Sequence, residues 1–332
     1  MPGKLIVDEI EDSGGSSVIG RKNYIINGNF DIWQRGTSVT TGYGPDRFTY
    51  QNSGSTGTLA QGSFTAGQTD VPNNPRYFAN LTVTGADDNA NIAHRIEDVY
   101  TLSGQKATIS FYAKHTTNAP TSFNVTSYQV FGSGGSTAVE TSIATSQTTT
   151  TSWQKYTATV TFPSVSGKTI GAGSYLELLF INPNNETFDI QIAQVQLEKG
   201  GVATNFEIRP IGEELSLCQR YYVKSYNQST APGTASTTTG SLNYITHANS
   251  SNGDRSTIFF PQTMRTTPTV TLYSTATGTS GKIRIENTGT DIDGTAYYIG
   301  ESTSNYYLNG TQTTGYVSLL QYQADAELWL VQ

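Results

Sequence analysis

The chain has 332 residues, of which 14% are charged and 35% hydrophobic, with 33 Gly, 20 Tyr and a formal net charge of −7. That length is about twice an ordinary domain and predicts two of them. An acidic balance with no basic run excludes nucleic acid as partner, because that affinity rests on Lys and Arg neutralising phosphates. Abundant Thr, Tyr and Gly suit pleated surfaces and turns rather than helices, so the composition predicts an all-β protein.

Residues 1–21 stand apart. Leu5, Ile6, Val7 and Ile10 are the apolar residues of a short amphipathic piece, followed by Ser13-Gly14-Gly15-Ser16-Ser17. A piece this short cannot bury its own apolar side chains, so it is expected to be a disordered leader or to dock on a neighbouring subunit or larger assembly. No signal-peptide pattern opens the chain and no segment approaches eighteen apolar residues, which predicts neither classical export nor membrane insertion.

Residues 22–210 read as strand after strand. Tyr77, Ala79, Leu81 and Val83 alternate with polar neighbours, as do Ala107, Ile109, Phe111 and Ala113, and Ala158, Val160 and Phe162. Tyr175 to Ile181 is nearly continuous in apolar residues and predicts a strand buried on both faces. Phe188 to Leu197 alternates with a phase slip between Ile192 and Val195, the signature of a β-bulge. Many short strands punctuated by Gly- and Asn-rich turns predict a jelly-roll β-sandwich.

Pro210 to Gly212 marks a joint, and Glu213 to Arg220 is the one convincing helix candidate. Residues 211–332 then form a smaller all-β, sandwich-like domain. Its strands are expected near Tyr221–Tyr226, Ser256–Phe260, Thr269–Tyr273, Lys282–Glu286, Tyr297–Gly300, Val317–Tyr322 and Glu327–Val331. No period of 20 to 50 residues repeats, which argues against a solenoid or propeller.

Few motifs carry chemistry. His94, His115 and His247 lie far apart, so zinc is not expected. Asp291-Ile292-Asp293-Gly294 begins like a calcium loop but lacks the later acidic ligands and reads as a solvated turn. The single cysteine, Cys218, reads as a small buried hydrophobe. There is no nucleophile elbow, triad order or phosphate-binding loop. Glu97, Asp98, Glu140, Glu177, Glu186 and Asp189 could pair for glycoside cleavage, yet spacing alone does not bring any two together. The expectation is a non-enzyme without cofactor or metal.

Aromatic recognition remains. Sugars present flat apolar faces beside hydroxyls, and exposed rings with nearby amides suit them. Tyr297-Tyr298 and Tyr306-Tyr307 flank Ser302 to Asn305 in an expected hairpin, with one tyrosine of each pair facing inward and one outward. Tyr297, Tyr298, Asn305, Tyr306 and Tyr307 are therefore the carbohydrate-binding candidates, with a subunit-interface role as the alternative. Trp33, Trp153 and Trp329 sit in or beside apolar strand patterns and read as core.

Asn23 to Gly36 followed by Pro45-Asp46-Arg47-Phe48, Thr151 to Thr157, and Ala193 to Gly200 running on to Tyr222 together resemble carbohydrate-binding-module-like jelly rolls of tailed-phage fibre and receptor-binding proteins. Phe260 to Val270 is similar to a segment of C-terminal fibre domains. The resemblance implies a virion protein that assembles as a homotrimer. It also implies particle attachment through the N-terminal segment, by Leu5, Ile6, Val7 and Ile10, and contact with host surface glycans. A capsid decoration protein and a polysaccharide-degrading tailspike are the alternatives.

Overall fold

The structure, a computed structural model, describes residues 23–85, 89–118, 123–181, 186–247, 255–310 and 313–328. Leu5, Ile6, Val7, Ile10 and Trp329 lie outside the described residues. The chain divides into two compact units. Among the described residues the first takes 23–31, 37–209 and Leu328, and the second takes Ile32–Gly36 and Pro210–Glu327.

In the first unit the strands are β1 (Ser38–Val39), β2 (Gly42–Tyr43), β3 (Phe48–Ser53), β4 (Thr56–Ser63), β5 (Tyr77–Gly85) and β6 (Asn89–Glu97). They continue as β7 (Lys106–Lys114), β8 (Phe123–Val130), β9 (Val139–Gln147), β10 (Gln154–Thr161), β11 (Tyr175–Ile181) and β12 (Phe188–Lys199). Two six-stranded antiparallel sheets result, ordered β1-β4-β5-β12-β7-β10 and β2-β3-β6-β11-β8-β9. The fold is a jelly-roll β-sandwich.

Period-two patterning decides what each strand buries. Leu59, Ala79, Leu81, Ile109, Phe111, Ala113, Ile190 and Ile192 from the first sheet meet Phe48, Ile92, Leu176, Leu178 and Phe180 from the second in one core. Phe111 joins the layers, lying 5.2 Å from Phe180 edge-on and 5.5 Å from Tyr156 in a stacked arrangement. The β-bulge stands where the phase slip placed it. Pairing of β12 with β7 shifts between Ala193 and Gln196, and Gln194 adopts φ +49°. The extra residue returns Val195 and Leu197 to the core. Gly28 backs the bulge so closely that a Cβ there would lie 2.1 Å from the Val195 carbonyl oxygen, so only glycine fits. In β11, Leu179 and Glu177 on the outer side are buried along with the inward residues, as a strand covered on both faces requires.

The second unit opens with α1 (Ile211–Gln219), whose first turn carries Glu213 and Glu214 where the helix dipole favours anions. Cys218 is buried on it. Its strands are β13 (Tyr222–Lys224), β14 (Leu242–Ile245), β15 (Arg255–Phe259), β16 (Thr269–Ser274), β17 (Lys282–Ile285), β18 (Thr290–Tyr297), β19 (Thr303–Leu308) and β20 (Val317–Asp325). They follow the order β13-β20-β17-β18-β19-β15, with β14 and β16 also on β20, and they enclose a separate core around Met264, Ile283, Leu308, Leu320 and Tyr322. Strand β18 pairs with β17 through Asp293 and with β19 from Gly294 onward. A Cβ at Gly294 would lie 2.4 Å from the Ile283 side chain, so this corner also needs glycine.

Three expectations change here. Asp291 to Gly294 is not a solvated turn but part of β18, because Asp293 and Asp291 meet Lys282 at 2.7 Å and Arg284 at 3.4 Å across the ladder to β17. The strand expected over Tyr297–Gly300 lies earlier, ending at Tyr297, and Tyr298 turns the chain with φ +45°. β20 stops at Asp325 and neither Glu327 nor Leu328 is in a strand, while the rest of the expected Glu327–Val331 strand lies outside the described residues. Trp33 is buried as core, whereas Trp153 is only half-buried.

Candidate functional site

The residues singled out in the second unit separate by strand phase. Tyr306 is buried inside the core, which removes it from the surface candidates, and Tyr307 faces outward beside it. Tyr297 lies 4.7 Å from the Tyr298 ring and 5.2 Å from the Tyr307 ring, with the Arg255 guanidinium 5.6 Å from its centre. Asn305 stands opposite Tyr297 and accepts a hydrogen bond from the Thr257 hydroxyl at 2.9 Å. Tyr298 is 80% exposed and Phe259, on the terminal strand β15, 75%. This is an exposed aromatic patch.

The first unit holds a more built surface, on the outer face of the sheet β1-β4-β5-β12-β7-β10. Because Ala79, Ile190, Ile192, Phe111 and Ala113 face the core, their neighbours Phe78, Asn80, Gln191, Ala193, Tyr112 and Lys114 face out. Register lines them up. One row runs Asn80, Gln191, Lys114, and a second runs Ala193, Tyr112, Lys155. Phe64, Phe78 and Trp153 form an aromatic triad with ring centres 5.0, 5.1 and 5.4 Å apart, and the Lys114 ammonium sits 5.3 Å from the Trp153 ring. Trp153 thus belongs to an outer surface rather than the core, since it precedes β10 and its partners come from β5 and the residue after β4.

The same face holds a cavity of about 130 Å³ lined by Ser110, Tyr112, Lys155, Gln194, Asn205, Phe206 and the loop residues Pro72 and Asn73. Pockets that engulf a small molecule run to several hundred Å³, so this one takes a single projecting group. The bulge builds its wall, because Gln194 is turned to donate from Nε2 to the Pro72 carbonyl at 2.7 Å. Gln196 secures the other wall by donating to Glu198 at 3.0 Å and accepting from the Glu207 amide at 2.8 Å, which holds Asn205 and Phe206 in place. Burial pushes the Tyr112 hydroxyl up from its ordinary pKa, so it remains a donor.

Two amide oxygens on this face are buried without a hydrogen-bond partner among the described residues, Oδ1 of Asn80 and Oε1 of Gln191, and the two residues stand directly opposite each other. An unpaired buried acceptor costs about 1–3 kcal/mol.

Of the carboxylates considered for glycoside cleavage, Glu97, Glu140 and Glu177 share the outer face of one sheet, with Glu177 opposite Arg95 and Tyr128, Glu97 two residues beyond Arg95 and Glu140 opposite Tyr128, but the Glu177 carboxylate is taken by Arg95 and Gln51. Glu177 is on β11 and Asp189 on β12, in different sheets. Asp189 accepts from Thr116, Thr117 and Asn118; burial alone would raise its carboxyl, but these bonds outweigh it and hold the pKa below the usual 3.8. Asp98 accepts from the Tyr100 amide at 2.9 Å, and Glu140 is exposed on β9. Among the described residues no three His, Cys, Asp or Glu side chains gather as metal ligands, and no helix is long and apolar enough to cross a membrane.

No protein-family model matches the sequence, and no curated protein does. Among solved structures, the chain is similar to the C-terminal family 22 carbohydrate-binding module of Clostridium thermocellum Xyn10B, at 13% identity and TM-score 0.37, over 58% of this chain and 99% of that one. It is equally similar to the Stig cyclase Fisc from Fischerella sp. TAU, at 11% identity and TM-score 0.37, over 55% and 99%. The tailspike protein 4 of bacteriophage CBA120 matches at 15% identity and TM-score 0.33, over 53% and 21%. Scores this low carry no functional argument; the strand order and the outer face carry it instead.

Proposed function

We propose that this chain is a non-catalytic carbohydrate-binding protein whose ligand lies across the outer face of β5, β12, β7 and β10. One observation carries the reading: the Phe64–Phe78–Trp153 triad lies on a sheet face that also presents the Asn80 and Gln191 amides, Tyr112 and Lys114. Rings take the apolar faces of sugars and amide oxygens take their hydroxyls. The test is a glycan array read with the full chain and with Trp153→Ala. Bound glycans lose about tenfold or more in affinity with the variant, while its thermal unfolding stays close to that of the parent. An array with no bound glycan refutes the reading.

In its finer form the proposal places the protein on a tailed-phage particle as a fibre or fibre-like appendage that contacts host glycans. It assembles as a homotrimer and is anchored to other virion proteins through residues 1–21, by Leu5, Ile6, Val7 and Ile10. The exposed rings Phe259 and Tyr298, with the half-buried Tyr297 and Tyr307, support a subunit contact, since β15 ends its sheet path and a terminal strand with apolar outward residues seeks cover. Sedimentation equilibrium checks the trimer, with Phe259→Glu expected to shift it to monomer. Deleting residues 1–21 should abolish incorporation into particles. A monomeric parent protein, or undiminished incorporation, rejects the respective claim.

A further inference from the structure

Resting on that reading, we infer that the ligand of the first domain's outer face is an acidic saccharide, bearing carboxylates as uronic acids do, and that Lys114 and Lys155 select it. The two lysines project from the same face, Lys155 opposite Tyr112 and Lys114 two residues further along β7. Diagonal neighbours of this kind lie roughly 7–8 Å apart at their backbones, within reach of one carboxylate for two long side chains. The Lys155 ammonium donates to the Thr204 carbonyl at 3.2 Å, and Lys114 lies against the Trp153 ring. Neither lysine has a carboxylate partner among the described residues.

The acidic side chains nearest in register are already engaged. Asp189 is saturated by Thr116, Thr117 and Asn118, and Glu198 accepts from the Thr204 amide and hydroxyl, each at 2.7 Å, as well as from Gln196. The face is therefore locally cationic on a chain whose net charge is −7. The cavity beside Tyr112 and Lys155 is sized for one projecting group, which a ring carboxylate provides. A neutral sugar would satisfy the rings and amides but leave both ammonium groups without a counter-charge. Single-stranded nucleic acid also stacks on rings, but two lysines on an acidic chain give little phosphate neutralisation.

The experiment titrates the full chain calorimetrically with oligogalacturonate, oligomannuronate and hyaluronan oligosaccharides as acidic probes. Xylo-, cello- and malto-oligosaccharides are the neutral probes, and oligo-dT the nucleic acid. At least one acidic probe should bind about tenfold or more tighter than every neutral one, with the preference shrinking at ~0.5 M salt. In Lys114→Met/Lys155→Met, checked for a parent-like melting curve, the preference should fall to about twofold. Equal or better binding of neutral probes overturns the acidic assignment and leaves the carbohydrate reading standing. Preferential binding of oligo-dT overturns both, as does a chain that binds none of the saccharides.

Discussion

The outer faces of the two sheets of the jelly roll differ in how their charged groups are partnered. On β6 and β11, Arg95 donates to Glu177 at 2.7 Å, Gln51 donates to the same oxygen at 2.8 Å, and both Arg95 and Tyr43 donate to the carbonyl of Leu328. Burial works against the Arg95 charge, but Tyr43, Glu177 and Tyr175 more than offset it and its pKa is raised. That face is closed by the chain's own main chain. On the other face Lys114 and Lys155 have no carboxylate partner among the described residues, while unpartnered amide oxygens occur on both faces, at Asn80 and Gln191 here and at Asn91 on β6.

The largest effect expected from this contrast comes from a pair of substitutions with opposite signs. Glu177→Ala strands the Arg95 guanidinium in a site where each partner is almost fully buried, so it should cost about 3–5 kcal/mol in urea unfolding of the first domain. Gln191→Leu removes an acceptor that nothing satisfies and should gain about 1 kcal/mol while weakening glycan binding. If Gln191→Leu destabilises as Glu177→Ala does, the open face is as structural as the closed one and the contrast is broken.

Much of the framework was legible because it depends on local periodicity. β5, β7 and β12 follow from alternation, the bulge from the slip between Ile192 and Val195, and α1 from its isolated helical run. The site was not legible in the same way, since its parts meet only through register. Trp153 looks like core beside the apolar alternation of β10, and nothing in sequence brings it to Phe64 and Phe78. The Arg95–Glu177 pair spans 82 positions and leaves no local trace. One signal was available: Phe78 and Tyr112 are large aromatics on the polar phase of strands whose inward phase, Ala79 and Leu81 or Phe111 and Ala113, is evident. Tyr297 and Tyr298 drew attention as a pair, yet Tyr298 lies beyond the end of its strand, so alternation does not govern it. Asp291 and Asp293 resembled a turn because their partners, Arg284 and Lys282, are visible only across a ladder.

Acid titration separates the two sheets by a smaller effect. His94, on β6, is buried with its ring 4.8 Å from Phe48, and its pKa lies well below 6.5; burial is the main cause, with the charges of Arg47 and Arg209 adding to it. The unfolded chain takes up this proton near 6.5 and the folded chain does not, so the stabilisation is whole above that pH and is lost as pH falls below it. One differential proton changes stability by about 1.4 kcal/mol per pH unit. Asp189, on β12, has its pKa held below 3.8, so its contribution is intact above 3.8 and disappears only as pH falls below that value. Urea unfolding of the first domain should therefore lose stability between pH 6.5 and 5 through the closed sheet, with the open sheet unaffected until pH drops below about 4. His94→Leu should flatten the upper window whatever its effect on absolute stability, and Asp189→Asn should leave that window in place. A slope between pH 6.5 and 5 that survives His94→Leu would assign the proton to another group.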